Sequence, residues 1–264
     1  MHRYLFLFYS LISFTHLSAD NIVIQSTTST RDSGLYEYLL PNYPDYASHD
    51  IKVVAVGTGQ AIMNAKNCDA DLLIVHDKKR EMQFMKEGYG IKRHKLMYND
   101  YIIVGPSRDP ANIASIKKPS NVFLAIASNK SKFISRSDSS GTHFAEISIW
   151  DNANFDPVKS SGVWYFETGQ GMGPSLNIAI AQDAYIFTDR STWLKYKNKA
   201  NHQILYENKY ELKNEYGLIL VNHTRCKAIN NTVPLDLFNW LSSDYAKQLI
   251  NSYRIDSQQV FFVE

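Results

Sequence analysis

Residues 21–76 decide the fold, because three short apolar runs alternate there with helical patterns: NIVIQ at 21–25, IKVVAV at 51–56 and DLLIVH at 71–76. Runs of four to eight apolar residues are typical of strands that are buried on both faces. Apolar residues recur at helical spacing in the segments that follow them, Ser33–Leu40, Gly59–Lys66 and Lys78–Lys86. This β-α-β-α-β-α succession indicates a mostly parallel sheet covered by helices, so it predicts an α/β lobe.

A second α/β series begins with the apolar run Tyr101–Val104, which ends at Gly105-Pro106. Strands are predicted at Lys132–Ser135 and Ala184–Phe187, and helices at Asn121–Ser128, Thr142–Trp150 and Pro174–Ala181. A further strand at Tyr216–Val221 precedes two amphipathic helices, Pro234–Leu241 and Tyr245–Tyr253. We therefore expect residues 20–100 plus 204–264 to form lobe I and residues 101–203 to form lobe II.

The first 19 residues have the layout of a secretory signal peptide. A basic start at Met1–Arg3 is followed by a 14-residue apolar run at Tyr4–Leu17 and by the small residue Ala19. Such a run is short for a bilayer span, which needs roughly 20 residues. We expect residues 1–19 to be removed on export and the mature protein to reside in the periplasm.

The composition is that of a globular chain. The 264 residues are 44% hydrophobic and 20% charged, and 28 basic residues nearly balance 26 acidic ones. Without a broad basic face, nucleic acid is not an expected partner, and any bound anion must be met by a local site. Cys68 and Cys226 form either a disulfide, as exported proteins permit, or two separate buried thiols.

Three polar loops share one design, because each follows a predicted strand and opens a predicted helix. They lie at 26–34 (STTSTRDSG), 57–60 (GTGQ) and 136–143 (RSDSSGTH). The first turn of a helix offers unpaired N–H groups and the positive end of the helix dipole, while glycine and hydroxyl side chains admit and bind an anion. Each loop alone fits an ordinary helix cap, but the three together favour an anion held between two lobes.

Arg136 is a cation that the sequence places within such a loop, at a strand end. Its planar, permanently charged guanidinium suits a face of oxygen atoms, and a salt bridge with Asp138 is the alternative interpretation. His76 and His143 flank candidate loops and are interpreted as capping or packing residues. No spacing typical of a nucleophile elbow, a metal site or a phosphate-binding P-loop occurs, so no catalytic residue and no metal ligand are predicted.

The motifs, taken together, resemble the tungstate-binding proteins of bacterial ABC importers, the TupA family. The resemblance rests on STTSTRDSGL (26–35), VGTGQA (56–61), DADLLIVH (69–76), SRSDSSGTH (135–143), WYFETGQGMGPSL (164–176) and YIFTDRSTWL (185–194). It implies a type II periplasmic binding protein fold, with two α/β lobes and a ligand cleft between them. It also implies a monomer without a cofactor that carries tungstate, or molybdate, to a permease served by a separate ATPase.

The resemblance further implies which residues bind the anion. Lobe I would contribute Thr28, Ser29 and Thr58, and lobe II would contribute Arg136, Ser140 and Thr142. Gln170 and Gly171 would line the cleft. The alternatives are a carrier of another tetrahedral oxyanion (molybdate, phosphate or sulfate), a sensor subunit, or an exported enzyme on the same scaffold with His143 as base.

Overall fold

The computed structural model describes residues 20–226 and 232–264. The signal peptide predicted at residues 1–19 lies outside the described residues. Among the helices that are described, none is both long and apolar enough to span a bilayer.

The strands of the described residues vary in length, and the longest, β4, lies near the middle of the sheet. They are β1 Asp20–Thr27, β2 His49–Val56, β3 Leu72–Val75, β4 Gly90–Pro106, β5 Phe133–Ser135, β6 Tyr165–Glu167, β7 Tyr185–Asp189, β8 His202–Glu207, β9 Lys213–Val221, β10 Arg254–Ile255 and β11 Gln258–Gln259. The helices are α1 Thr28–Asp32, α2 Leu35–Leu39, α3 Thr58–Lys66, α4 Lys78–Lys86, α5 Pro119–Ser128, α6 Gly141–Asn152, α7 Met172–Ala181, α8 Arg190–Lys195, α9 His223–Cys226, α10 Thr232–Leu241 and α11 Asp244–Ser252.

The main sheet has the strand order β2-β1-β3-β9-β4-β7-β5-β6, with β8 also paired to β4. Strand β1 pairs in parallel with β2 and β3, and β5 pairs in parallel with β6 and β7. Strand β4, by contrast, is antiparallel to β7, β8 and β9. The sheet thus consists of two parallel units joined by antiparallel strands. It contains fewer parallel pairs than the mostly parallel sheet that the sequence predicts.

Strand β4 is the largest departure from the predicted elements. It spans 17 residues, whereas only Tyr101–Val104 is apolar enough to predict a strand. The earlier part, from Ile91 to Lys95, is polar and partly exposed, and it is held by antiparallel pairing with β9. Because this pairing is long-range, a local apolar run does not reveal it.

Each of the two α/β lobes has its own hydrophobic core. In the first lobe, Ile24, Leu72 and Leu218 pack beneath α10 and α11. The second lobe is built around Phe123 and Trp150, whose ring centroids lie 4.6 Å apart. Burial of each such side chain stabilises the fold by about 1.5–3 kcal/mol, so the lobes are rigid supports for the loops at their strand ends.

A disulfide links Cys68 to Cys226, with Cα atoms 5.3 Å apart. Cys68 follows α3 and Cys226 ends α9, so the bond ties two distant parts of the first lobe. Of the two alternatives that the sequence leaves open, the disulfide is the one observed.

Candidate functional site

The three polar segments each lie at the junction of a strand and a helix, but residues 28–32 of the first segment form the short helix α1 rather than the predicted loop. Strand β1 leads directly into α1, β2 leads into α3 through Gly57, and β5 leads into α6 through residues 136–140. In an open sheet, ligands bind outside the carboxyl ends of parallel strands. Each loop therefore brings a helix start and its polar side chains to the position that the fold favours for a ligand.

On the first-lobe side, Thr58 has the most unusual environment. Its side chain is buried, and its Oγ1 has no hydrogen-bond partner in the structure. Ser29 is also buried, but its Oγ lies 3.2 Å from Oγ1 of Thr27, and Thr28 is half-buried. An unpaired buried hydroxyl costs about 1–3 kcal/mol, so Thr58 is suited to a ligand that supplies the missing partner.

On the second-lobe side, Thr142 has the same property. It is 2% exposed, and its Oγ1 makes no hydrogen bond of normal geometry; it lies beside the Tyr101 hydroxyl, which is 3.1 Å from Nδ1 of His76. The N–H groups of Gly141 and Thr142, in the first turn of α6, donate to nothing within residues 20–226 and 232–264. A hydroxyl and two backbone donors are therefore available at the start of a 12-residue helix.

Ser140 shapes this helix start. Its Oγ accepts the N–H of His143 at 3.2 Å, and its own N–H donates to Oδ1 of Asp138. His143 in turn accepts the N–H of Ser139 on Nδ1, at 3.3 Å. These groups cap the loop and the helix, so the Ser140 oxygen serves as an acceptor, while its O–H donates to no residue in the described part of the chain.

Arg136 is buried, with 4% of its surface exposed, rather than spread over the surface. Both Nε and Nη2 donate to Oδ2 of Asp138, the former at 3.1 Å. Nη1 donates to no residue in the described part of the chain. Asp138 thus fixes the orientation of the guanidinium and leaves one nitrogen for a ligand, while it offsets part of the positive charge.

Gln170 and Gly171 lie at the edge of this arrangement. The segment is tied to the Arg136 loop, because Oγ1 of Thr168 donates to the carbonyl of Arg136 at 3.3 Å and accepts the N–H of Gln170. The Gln170 side chain is exposed, and Gly171 is half-buried at the start of α7. The predicted residues therefore divide into a buried group around Thr58, Arg136 and Thr142 and a solvent-facing rim at Gln170.

The sequence missed a buried layer that connects the two sides, formed by His76, Tyr101 and Tyr216 and called here the aromatic floor. Nδ1 of His76 lies 3.1 Å from the Tyr101 hydroxyl, and the His76 and Tyr216 rings are 4.9 Å apart. The Tyr216 hydroxyl accepts a hydrogen bond from Asn214 at 3.1 Å. Only the apolar context of His76 after β3 hinted at this layer, since the tyrosines belong to no motif.

Burial keeps the aromatic floor uncharged. The pKa of His76 is lowered to about 4, mainly by desolvation. The negative charge of Asp189 opposes this shift, and the positive charge of Arg136 adds to it. Desolvation likewise raises the pKa values of Tyr101 and Tyr216 above their usual range. The floor is therefore a neutral, hydrogen-bonded surface at physiological pH.

A cavity of about 780 Å³ adjoins the floor on the side of α4. His76, Tyr101 and Gly141 line it, together with the charged side chains of Lys78 and Arg80, but none of the eight predicted residues does. Within the described residues, no group of three or more His, Cys, Asp or Glu side chains is arranged to hold a metal ion. The buried groups that the three segments present, two hydroxyls and a guanidinium, are hydrogen-bond donors that suit a small anion.

Comparison with known proteins defines the class first. A family model for a PBP (periplasmic binding protein) superfamily domain matches residues 15–251. The crystal structure of the tungstate ABC transporter from Geobacter sulfurreducens aligns with a TM-score of 0.80 and 37% identity, over 89% of this chain and all of that one. The fold is that of a periplasmic binding protein.

The relatives at the sequence level specify the family. The chain is 40% identical over 236 residues to the tungstate-binding protein TupA of Peptoclostridium acidaminophilum, covering 88% of this chain and 81% of the relative. It is 38% identical over 243 residues to TupA of Campylobacter jejuni, with 89% and 88% covered. The chain belongs to the TupA family, as the motifs predict.

Proposed function

We propose that this chain binds tungstate between its two lobes in the periplasm and delivers it to the permease of an ABC importer. The observation that carries the proposal is a pair of buried hydroxyls without partners, Thr58 in the first lobe and Thr142 in the second. Relatives that are named as tungstate-binding proteins support the choice of ion. Binding and release, rather than catalysis, are the proposed activity, and the ion is a ligand rather than a cofactor.

The two hydroxyls belong to loops that lie against each other. Nη1 of Arg80 in the first lobe lies 3.5 Å from the carbonyl oxygen of Ser139 in the second. A Cβ added to Gly59, the residue after Thr58, would lie 3.7 Å from that same oxygen. These short distances between the loops support a ligand small enough to contact both lobes at once.

A tetrahedral dianion needs donors in several directions, and the loops supply them. In the proposed site, Thr58 and Thr142 donate through their hydroxyls, and Arg136 supplies the compensating charge through Nη1. Thr28, Ser29, Gln170 and Gly171 complete the surroundings, while Ser140 positions the α6 helix start. Donors that are already fixed in a dry site bind an anion strongly, because they need no rearrangement when the ion arrives. These interactions must outweigh the cost of displacing water from the ion.

Selectivity follows from the kind of groups that face the ion. Hydrogen phosphate carries a proton that needs an acceptor, but the carboxylate of the Arg136 loop, Asp138, is engaged by Arg136 and Ser140. Sulfate is smaller and does not reach donors spaced for tungstate. Molybdate has nearly the same size and charge as tungstate, so we expect it to compete.

The same proposal covers location, division of the chain and partners. Residues 1–19 direct export, and residues 20–100 plus 204–264 close against residues 101–203 around the ion. The closed monomer is then recognised by a permease that works with its own ATPase. Closure of two lobes around a ligand is a common switching motion of binding proteins.

Isothermal titration of the purified protein tests the proposal. Four anions are compared in the same buffer: tungstate, molybdate, sulfate and phosphate. We expect heat of binding with tungstate and with molybdate, and an increase in the melting temperature that grows with ligand concentration. Absence of binding to tungstate, or binding to sulfate or phosphate alone, would overturn the proposal.

A further inference from the structure

One contact between the lobes lies directly beside the proposed site. His76, which follows β3 in the first lobe, packs against Gly141, the first residue of α6 in the second. A Cβ placed on Gly141 would lie 2.6 Å from Cε1 and 2.7 Å from Nδ1 of the His76 ring. Such distances are shorter than any normal contact, so the two lobes reach this arrangement only because residue 141 has no side chain.

Space, rather than backbone conformation, explains the glycine. Gly141 is not among the residues with positive φ, which are the ones whose conformation favours glycine. It begins a regular helix after the cap residue Ser140, where other residues are common. The requirement at position 141 therefore comes from its neighbour across the lobe interface.

The His76 ring is held firmly by the strands that join the two lobes. It is 8% exposed, bonded through Nδ1 to the Tyr101 hydroxyl and packed on the Tyr216 ring. Tyr101 and Tyr216 belong to β4 and β9, the antiparallel strands that join the two parallel units. A ring supported in this way has little freedom to give way when α6 approaches.

The contact also stands next to the groups that bind the ion in the proposed function. Thr142, with its unpaired hydroxyl, follows Gly141 directly. Any change in how closely α6 approaches His76 therefore changes the distance between Thr142 and the donors of the first lobe. Shifts of about 1 Å are large compared with the range of good hydrogen-bond lengths.

We propose that His76 is a positioning residue, whose ring is the stop against which α6 closes and thereby sets the spacing of the donors on the two lobes. This inference rests on the proposed function, because the spacing matters only if an ion is bound between the lobes. His76 need not contact the ion. Gly141 is the matching element on α6, since it allows the helix to reach the stop.

A double-mutant cycle tests the inference, with the dissociation constant and the dissociation rate of tungstate as readouts. Gly141→Ala should weaken binding by about tenfold or more, mainly through faster dissociation, because the added methyl meets the ring and holds the lobes apart. His76→Ala alone should weaken binding by about threefold, because the stop is lost. In the His76→Ala background, Gly141→Ala should cost less than about twofold.

Gly105→Ala is the matched control. Its Cβ would lie 2.5 Å from Cδ1 of Tyr185, an overlap of the same size with an aromatic ring inside the second lobe. It should lower the melting temperature and leave the affinity of the folded protein within about twofold, with or without His76. Thermal unfolding without ligand shows which variants fold, and His76→Asn replaces His76→Ala if the alanine variant does not.

The outcomes separate the inference from the function on which it rests. If the wild-type protein does not bind tungstate, the proposed function fails and the inference fails with it. If the wild type binds and Gly141→Ala costs the same factor with and without His76, the methyl acts on the ion or on the helix, and only the inference is overturned. Loss of the Gly141→Ala effect in the His76→Ala background supports it.

Discussion

The two lobes contribute different chemistry to the proposed site. The first lobe presents hydroxyl groups, of which the buried and unpaired one is Thr58. The second lobe presents the guanidinium of Arg136 and the start of a 12-residue helix that carries Thr142. The positive charge that compensates the anion is thus on the second-lobe side, and the first lobe adds neutral donors. Equivalent substitutions on the two sides should therefore have unequal effects on tungstate affinity.

The largest effect is expected from the charged side. Arg136→Ala should weaken tungstate binding by about 100-fold or more, because it removes the charge-assisted hydrogen bond and leaves Asp138 unpaired near the anion. Titration calorimetry measures the loss, and circular dichroism verifies that the variant is folded. Arg31→Ala is the control in the first-lobe loop, since Arg31 is half-exposed and paired with Asp32, and it should change affinity by less than about twofold. Equal losses in the two variants would contradict the comparison.

The lobes also differ in covalent cross-linking, since the disulfide lies within the first lobe. We expect this bond to make a large contribution to the free energy of unfolding. The Cys68–Cys226 disulfide, which joins residues 158 positions apart, lies in the first lobe. Reduction should lower the free energy of unfolding by about 2–4 kcal/mol, measured by urea denaturation with and without dithiothreitol. A Cys68→Ser and Cys226→Ser double variant should have the reduced stability under both conditions and still bind tungstate. An unchanged unfolding midpoint after complete reduction would contradict this prediction.

The unpaired threonines provide a matched pair across the cleft. Thr58→Val and Thr142→Val each remove a buried hydroxyl without a partner, so each should raise the stability of the ligand-free protein by about 1 kcal/mol. Each should also weaken tungstate binding by about tenfold, since a donor to the ion is lost. Thr188→Val is the control, because that buried hydroxyl donates to the Asp189 carbonyl, and its removal should destabilise the protein. A loss of stability in the first two variants would show that their hydroxyls are paired within the protein.

A further effect concerns the pH dependence of stability in the second lobe. Glu146 on α6 is buried and accepts hydrogen bonds from Ser135, Trp150 and Tyr165. Desolvation outweighs these donors and raises the pKa of Glu146 from 4.5 to about 7. Because the pKa of Glu146 is higher in the folded protein than in the unfolded chain, Glu146 contributes fully to the free energy of unfolding below pH 4.5. This contribution is lost as the pH rises through 7.

Glu146→Gln should remove this dependence. Between pH 5 and pH 8, the free energy of unfolding of the wild type should fall relative to that of the variant by about 2–3 kcal/mol, measured by thermal or urea unfolding in matched buffers. Glu81 in the first lobe also has a pKa raised to about 7, but its carboxylate is paired with Arg93. Because Glu81→Gln removes the partner of Arg93, this variant should be less stable than the wild type at every pH between 5 and 8. Parallel pH curves for the wild type and Glu146→Gln would contradict the prediction.

Local features of the fold could be predicted from the sequence, because they depend on short-range patterns. Strand β2 is predicted at 51–56 and observed at His49–Val56, and α4 is observed over the predicted residues Lys78–Lys86. The polar loops could be located for the same reason, since a strand, a polar turn and a helix start follow one another in the chain. Binding residues that lie in such junctions are therefore visible in one sequence.

Long-range features could not be predicted in this way. The polar half of β4 is a strand because β9 lies beside it, and β9 is more than 100 residues away in the chain. The aromatic floor brings together His76, Tyr101 and Tyr216 from three separate strands or strand ends, and no spacing in the sequence records that meeting. Whether a buried hydroxyl such as that of Thr58 is paired also depends on tertiary packing alone.

The most direct test of the central claim is the position of the ion. Crystals grown with tungstate, measured at the tungsten absorption edge, give an anomalous difference map in which the metal is located without reference to the protein. We predict one strong peak between the lobes, with tungstate oxygens about 3 Å from Thr58 Oγ1, Thr142 Oγ1 and Arg136 Nη1. A peak in the cavity next to α4, or contacts with one lobe only, would contradict it.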